Sequence, residues 1–488
     1  MAKKLKVLFA TSETHPLIKT GGLADVSGAL PAALNGLDLD VRILIPGYTR
    51  VLEQMELENA LKVDLLYTPG GAVRLLEGKM PGQGFPVYVV DHAGLYHRDG
   101  GPYQGAAGHE WADNALRFGT LSYVANLLSE QASPLDWQPD ILHCNDWQTG
   151  LAPAYLHYSA TPRARTVITI HNLAYQGVFD IKLVDSLWLP PEAVREIEGV
   201  EFHDQLSFLK AGLRFADSIT TVSPTYAREI QDPFFGCGLE GLLQHRFDRL
   251  EGILNGIDTA DWDPRADAHL VKNYTARTLS NGVENKRALQ QELGLAQHPD
   301  VMLLGVISRL ADQKGLDLFA DIVPELLNDG VQICLLGSGD PVLEGRFSEF
   351  AHKHLGQFAT YIGYNERLAH RMEAGIDAFI MPSRYEPCGL NQMYSMAYGT
   401  PPIVRHTGGL ADSVVDAGSL ENMQSDATGF VFEHADAGAL LHAIRRAQAF
   451  YADLDKWHKI QRNGMACDFS WNASAAHYVE LYEELLRS

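Results

Sequence analysis

Cysteine is scarce in this chain and poorly arranged for cross-linking. Five occur in 488 residues, Cys144, Cys237, Cys334, Cys388 and Cys467, and no two have C-x-x-C spacing. The odd number and wide spacing argue against a disulfide framework or a zinc knuckle and fit a reducing compartment. Positive charge is also short. Thirty-nine Lys and Arg face 61 Asp and Glu, a formal net charge of −22. A surface of that sign repels nucleic acid and anionic lipid, so neither is an expected partner, and an anionic ligand needs a local positive pocket. No apolar run approaches the roughly 20 residues that span a bilayer. The opening stretch, residues 1–10, is interrupted by Lys6 and gives way to Thr11-Ser12-Glu13. It is too short for the core of a signal peptide and reads better as a first buried strand. The expectation is a cytoplasmic protein with no membrane and no nucleic-acid partner.

Hydrophobic residues make up 46% and charged residues 20%, enough apolar content for sizeable cores. Short apolar runs alternate with longer helical patterns. Residues 7–10, 41–46, 87–90, 141–143, 166–171 and 218–222 are strand candidates in the first half. Residues 301–308, 332–337, 360–363, 378–381 and 402–404 serve in the second. Amphipathic stretches such as 284–293 and 368–374 lie between them. Alternation of this kind predicts an α/β protein with parallel sheets covered by helices on both faces. Two such sheets are expected, with a boundary near Ile253-Leu254-Asn255-Gly256-Ile257-Asp258, where Asn-Gly signals a turn. That gives domains over 1–252 and 253–465, and a last segment, 466–488, whose helical part from 473 to 486 can pack back on the first domain. Residues 259 to about 281 read as an irregular linker.

Most residues with candidate chemistry fall at carboxyl ends of expected strands, where open α/β sheets bind ligands. Lys19-Thr20-Gly21-Gly22-Leu23-Ala24-Asp25 follows the first strand. Its glycines let backbone approach a ligand, a helix opening there offers its positive end, and Lys19 adds a full charge. Asp25 suits a sugar hydroxyl or the orientation of Lys19. The loop matches neither G-x-x-x-x-G-K-[ST] nor G-x-G-x-x-G, and a tight structural turn explains it as well as an anion site does. The same hexapeptide, Thr-Gly-Gly-Leu-Ala-Asp, recurs at 407–412. The echo fits two related nucleotide-type domains presenting Gly loops to one crevice, or a coincidence of two Gly-rich turns.

Arg309 and Lys314 follow the run at 301–308, and two cations at a strand end suit a diphosphate or form a solvated surface pair. Glu386 lies between the strand at 378–381 and the turn at Gly389, where a carboxylate can steady positive charge and the Gly389 and Leu390 N–H groups can take a phosphate. Cys388 beside it reads equally as an inert buried thiol. His171-Asn172 and His143-Cys144-Asn145-Asp146-Trp147 end two further strands, as site residues or as satisfied structural ones. Asp38-Leu39-Asp40, Asp261-Trp262-Asp263 and Asp453-Leu454-Asp455 have metal-binding D-x-D spacing but no central-strand context, and read as turn or helix residues. There is no G-x-S-x-G elbow and no H-E-x-x-H.

Taken in order, these motifs resemble those of bacterial glycogen synthases and plant starch synthases. The resemblance rests on Ser12-Glu13 with Lys19-Thr20-Gly21-Gly22-Leu23-Ala24-Asp25-Val26, Asn145-Asp146-Trp147-Gln148-Thr149-Gly150, His171-Asn172-Leu173-Ala174-Tyr175-Gln176-Gly177, Asn255-Gly256-Ile257-Asp258, Ser308-Arg309-Leu310 with Lys314-Gly315, Glu386-Pro387-Cys388-Gly389-Leu390 and Thr407-Gly408-Gly409-Leu410. It runs to about Gly429. His15 departs from the expected Val-Ala before the proline. Asn145 stands where a histidine often precedes Asp-Trp, and Tyr385 and Asn391 where Phe and Thr are commoner. The resemblance implies a GT-B fold, two Rossmann-like doubly wound parallel-sheet domains facing a deep cleft, with a final helix crossing back to the first. It implies transfer of glucose with retention from ADP-glucose to the non-reducing end of an α-1,4-glucan such as glycogen, with no cofactor and no metal. The catalytic set it implies is Glu386, His171, Lys19, Arg309 and Lys314. Gly22, Asp25, Tyr96, Asp146, Asn255, Tyr364, Cys388, Gly389 and Leu390 would bind substrate, with Tyr364 stacking on adenine. Use of UDP-glucose or another acceptor, and a catalytically silent glucan-binding protein, are the competing readings.

Overall fold

The computed structural model describes residues 4–55, 57, 61–159, 161–195 and 198–487. Residues 1–3 of the opening stretch and residue 488 of the terminal segment lie outside them. The chain divides into two compact units. One comprises Met1–Val222, Ala227–Ile253 and Trp471–Ser488, the other Ser223–Tyr226 and Leu254–Ser470.

The first unit contains strands β1 (Lys6–Ala10), β2 (Asp40–Pro46), β3 (Leu61–Thr68), β4 (Gly71–Lys79), β5 (Pro86–Asp91), β6 (Ile141–Asn145), β7 (Arg165–Ile170), β8 (Val178–Asp180), β9 (Glu201–Phe202), β10 (Gln205–Ser207), β11 (Ser218–Thr221) and β12 (Leu250–Gly252). Nine form one sheet in the order β12-β11-β7-β6-β1-β2-β5-β4-β3, and β8, β10 and β9 form a small separate sheet. β1 is central because Val7, Leu8, Phe9 and Ala10 are buried on both faces, which a continuous apolar run permits. Its neighbours β2 and β6 pair with it in parallel.

The first sheet also has a part that is not parallel. β4 runs antiparallel to both β5 and β3. This hairpin carries no long apolar run: Leu61, Leu65 and Tyr67 of β3 are exposed, as an edge strand allows. Its alternating pattern therefore lacks the signature of a strand covered on both faces.

The helix Trp471–Arg487 belongs to the first unit, and a buried hydrogen-bond chain shows why. Tyr482 Oη lies 2.6 Å from His143 Nδ1, His143 Nε2 lies 2.6 Å from Thr169 Oγ1, and that hydroxyl lies 2.6 Å from Thr220 Oγ1. Burial lowers the His143 imidazole pKa to about 3, so the ring is neutral, with one nitrogen donating and one accepting. Hydroxyls on both sides can meet either demand. His143 is thus a structural strut joining the last helix to β6, β7 and β11.

The second unit contains β13 (Leu303–Ile307), β14 (Gln332–Gly337), β15 (Phe358–Ile362), β16 (Ala378–Met381), β17 (Pro402–Arg405) and β18 (Phe430–Phe432), all parallel, in the order β15-β14-β13-β16-β17-β18. Numbered from its own first strand this is 3-2-1-4-5-6, the order of dinucleotide-binding Rossmann sheets. Val306, Leu335, Ile380, Phe319, Val323, Phe347 and Ile444 belong to one continuous core. The irregular segment after Asn255 is no loose linker. Tyr274 is buried in it and donates from Oη to Tyr398 O at 2.8 Å.

Tyr482→Phe is expected to leave a buried His143 nitrogen unpaired and to cost about 1–3 kcal/mol, read as a lower urea midpoint with unchanged secondary structure. A wild-type midpoint would contradict the strut.

Candidate functional site

Each sheet has a switch point where connections leave in opposite directions from the central strand, and ligands bind outside the carboxyl ends of the strands there. In the second unit that place lies between β13 and β16. Arg309 and Lys314 follow β13, and Glu386 follows β16. The two loops touch because Gly315 has φ +62°, and a Cβ there would sit 2.1 Å from Pro382 O. Only glycine satisfies both demands. Arg384 fastens the approach: its N–H donates to Gln313 O at 2.8 Å, and its guanidinium grips Asp317 at 2.7 and 2.6 Å. Those bonds hold the Asp317 carboxyl below its usual range.

The result is an ion pair, Lys314 Nζ to Glu386 Oε2 at 2.5 Å, with Ser383 Oγ donating to the same oxygen at 2.9 Å. Its side chains are only 18% and 8% exposed, so the charges need each other. Arg309 is exposed and makes no ion pair among the described residues. The Gly389 and Leu390 N–H groups likewise have no acceptor among the described residues. Cys388 is buried, and burial pushes its thiol up to about 12, although the backbone and side chain of Asn255 hydrogen-bond to it. It is a neutral packing group. Asn255 Oδ1 beside it is buried without a hydrogen-bond partner. Tyr364 follows β15 and is 76% exposed.

In the first unit the switch point lies between β1 and β6. After β1 the chain reaches the helix Gly22–Gly36 through the Lys19 loop. Lys19 Nζ bonds Asp25 Oδ1 at 2.8 Å. Contrary to the expectation from loop chemistry, the N–H groups of Thr20 and Gly21 are not available to a ligand. They donate to Glu13 Oε2 at 2.5 and 3.3 Å. Burial raises the Glu13 pKa against those bonds. Tyr103 Oη donates to the other Glu13 oxygen at 2.8 Å. The loop still offers Lys19 and the first helical N–H, that of Gly22.

After β6, Asp146 adopts φ +54° and ψ −171°, a region nearly reserved for glycine and costing about 1–3 kcal/mol. The strain aims Oδ1 at the His171 N–H, 2.7 Å away at the end of β7. Burial raises the Asp146 carboxyl to about 7, against the His171 and Asn172 N–H groups that lower it. Asn145 Nδ2 donates to Ala10 O, which turns its Oδ1 to His171 Nε2 at 3.0 Å. The His171 pKa is lowered to about 3 by burial. The neutral ring therefore carries its proton on Nε2. Asn145, the departure from the family pattern, sets the tautomer.

Tyr96 requires correction. It is 1% exposed, and its hydroxyl donates to Arg117 O at 2.7 Å inside the core. The ring supports a loop rather than facing a ligand. Arg117, itself buried, donates to Leu95 O, Pro102 O and Asn114 Oδ1, fixing the 95–103 segment. Tyr103 at its end is the tyrosine that reaches the Lys19 loop. Sequence reading missed Tyr103 and the role of Glu13. An available signal was Arg117 amid the apolar residues of the helix Asn114–Ser129.

The two Thr-Gly-Gly-Leu-Ala-Asp copies also separate. A Cβ at Gly21 or Gly22 meets nothing within 4 Å. At Gly408 it would lie 1.9 Å from Glu386 O, and at Gly409 2.1 Å from Cys388 O. Asp25 pairs with Lys19, whereas Asp412 accepts from Thr225 N and Oγ1 at 2.7 and 2.6 Å. The first copy is open; the second is a bearing surface for the Glu386 loop.

Rossmann-type order in the second unit, a β1/β6 switch point in the first and charged groups at both define a GT-B glycosyltransferase. Residues 6–245 match the family model described as starch synthase catalytic domain, and 301–449 match glycosyl transferases group 1. The chain is 54% identical to the glycogen synthase of Aromatoleum aromaticum, over 99% of this chain and 97% of that one. It is 52% identical to that of Paramagnetospirillum magneticum, over 99% and 98%. The catalytic domain of starch synthase IV from Arabidopsis thaliana, bound to ADP and acarbose, superposes with a TM-score of 0.85 at 33% identity, covering 100% of both chains. The chain belongs to the glycogen synthase family. No helix among its described residues is long and apolar enough to cross a membrane.

Because the Asp146 pKa is raised on folding, the folded state binds the extra proton between the unfolded value of 3.8 and about 7. Stability falls as pH rises through that window and then levels. Asp146→Asn is expected to remove this decline, changing the wild-type-to-variant stability difference by about 3 kcal/mol between pH ~5 and pH ~8. Urea unfolding at about pH 5 and about pH 8 measures it; parallel pH profiles would refute the assignment.

Proposed function

We propose that this enzyme transfers glucose from ADP-glucose to the non-reducing end of an α-1,4-glucan, with retention and release of ADP. The Lys314–Glu386 pair at the β13/β16 switch point carries the reading. Cleaving the glycosyl–phosphate bond builds negative charge on the departing ADP and positive charge on the sugar. Arg309, Lys314 and the Gly389 and Leu390 N–H groups offer the first charge its partners. Glu386, and the backbone carbonyl of His171, offer partners to the second. Lys19 and the Gly22 N–H serve the distal phosphate, and Asp25 the sugar side. The unpartnered Oδ1 of Asn255 and the strained Asp146 carboxyl suit glucose hydroxyls. Tyr364 offers an exposed ring to adenine. Cys388 contributes by packing, since its thiol stays protonated. The ADP and acarbose named with the Arabidopsis structure support a nucleotide donor and a glucan-like acceptor.

Retention follows from front-face attack. The sugar C1–O bond to phosphate breaks, the acceptor O4 bonds to C1 on the same face, and the acceptor proton passes to a leaving-phosphate oxygen. A carboxylate nucleophile would instead give a covalent intermediate, as in retaining glycosidases.

Glu386→Ala, Lys314→Ala and Lys19→Ala are each expected to lower kcat by on the order of 10²-fold in an assay of ADP release from ADP-glucose with glycogen. Near wild-type turnover in Glu386→Ala would overturn the assignment, and a trapped glucosyl–Glu386 adduct would overturn front-face attack. Faster turnover of UDP-glucose would change the donor. Glycogen binding without ADP release would mark a silent glucan-binding protein.

A further inference from the structure

The D-x-D at Asp261-Trp262-Asp263 splits into two carboxylates with different surroundings. Asp263 is a turn residue: its Oδ1 accepts from Arg265 N at 2.9 Å and its carboxylate pairs with the Arg265 guanidinium. Asp261 instead meets Glu366 and His370. One carboxylate oxygen from each acid and an imidazole nitrogen all lie within 4.8 Å of one another.

The state of His370 is fixed from behind. It is 1% exposed, and its Nδ1 lies 2.9 Å from Asp267 Oδ2, an oxygen that also accepts from Tyr398 Oη at 2.6 Å. A carboxylate only accepts, so Nδ1 carries a proton, and in the neutral ring Nε2 presents its lone pair. That buried Nε2 has no hydrogen-bond partner. Glu366 Oε1, itself an acceptor, lies 3.8 Å from it. The ring cannot turn away. Trp262 stacks on it with centroids 3.9 Å apart at 8°, and Tyr394 stacks on Trp262 at 4.0 Å. A carboxylate holding one imidazole nitrogen while the other aims its lone pair at acidic side chains is the arrangement that orients metal-binding histidines.

We propose that His370 Nε2, Asp261 and Glu366 hold a divalent transition-metal ion of the Zn²⁺ class. The site is structural: it clamps the segment after Asn255 to the helix Glu366–Gly375 and takes no part in glucosyl transfer. The imidazole ligand disfavours Mg²⁺ and Ca²⁺, which prefer oxygen alone. Zinc bonds of about 2.0–2.2 Å put tetrahedral ligand atoms roughly 3.4 Å apart. Asp261 and Glu366 lie at the surface, and an inward shift of about 1 Å by their carboxylates would reach that spacing and leave the fourth position to water.

Calorimetric titration with ZnCl₂ tests this on the full chain and on Asp261→Asn, Glu366→Gln and the neighbouring control Asp263→Asn, none of which removes a buried group. One saturable site is expected in the parent and the control, weakened by on the order of 10-fold or more in Asp261→Asn and in Glu366→Gln. Co²⁺ should give visible d–d absorption that the same two variants lose. Equal Zn²⁺ affinity in all four proteins, or no saturable site below about 1 mM, would overturn the proposal. The second result is also what a protonated imidazole filling the same place would give.

Discussion

Two loops in the second unit approach each other until backbone meets backbone, and the candidate chemistry depends on that contact. With a side chain at 315 the loop after β13 would be pushed off Pro382. Lys314 would then lose Glu386, and two nearly buried charges would be left uncompensated at a cost of several kcal/mol. The contact is braced from outside by Arg384 on Asp317 and from below by Gly408 and Gly409 against the Glu386–Cys388 backbone. A cation and a carboxylate are thus held together before any substrate arrives, so little reorganisation is needed when charge develops.

The first unit reaches a comparable state by another route. Buried carboxylates, Glu13 and Asp146, each bind backbone N–H groups of a neighbouring loop. Glu13 occupies two amides of the Lys19 loop, while Lys19 and the Gly22 N–H remain among its donors. Asp146 accepts backbone strain to orient His171, and Asn145 fixes which imidazole nitrogen holds the proton. Positioning here combines charge burial with close glycine contact, since a Cβ at Gly150 would lie 2.1 Å from Phe208 O.

Much of this was legible from residue pattern. The strands buried on both faces announce themselves as apolar runs, and the loops with candidate chemistry follow from where those runs end. Arg309, Lys314, Glu386, Lys19 and His171 sit at such ends, and the order of motifs named the family. The hairpin of β3 and β4 escaped because an edge strand needs only one covered face. Tyr96 and Tyr103 could not be ranked, because which of them turns into the core and which reaches the Lys19 loop is decided with Arg117, a residue more than ten positions from either. The D-x-D at Asp261 looked like a turn because its partner imidazole lies over a hundred residues away.

Sequence by itself determined the fold class, the family and the chemical inventory, since hydrophobic period and local loop composition are properties of neighbouring residues. It could not say what the repeated Thr-Gly-Gly-Leu-Ala-Asp does. The tertiary structure leaves the glycines of one copy open and packs those of the other against Glu386 and Cys388. It likewise made His143, inside β6, a strut, and set His171, just after β7, against Asp146 and Asn145. Those distinctions rest on which distant groups share a small volume, and only the folded chain brings them there.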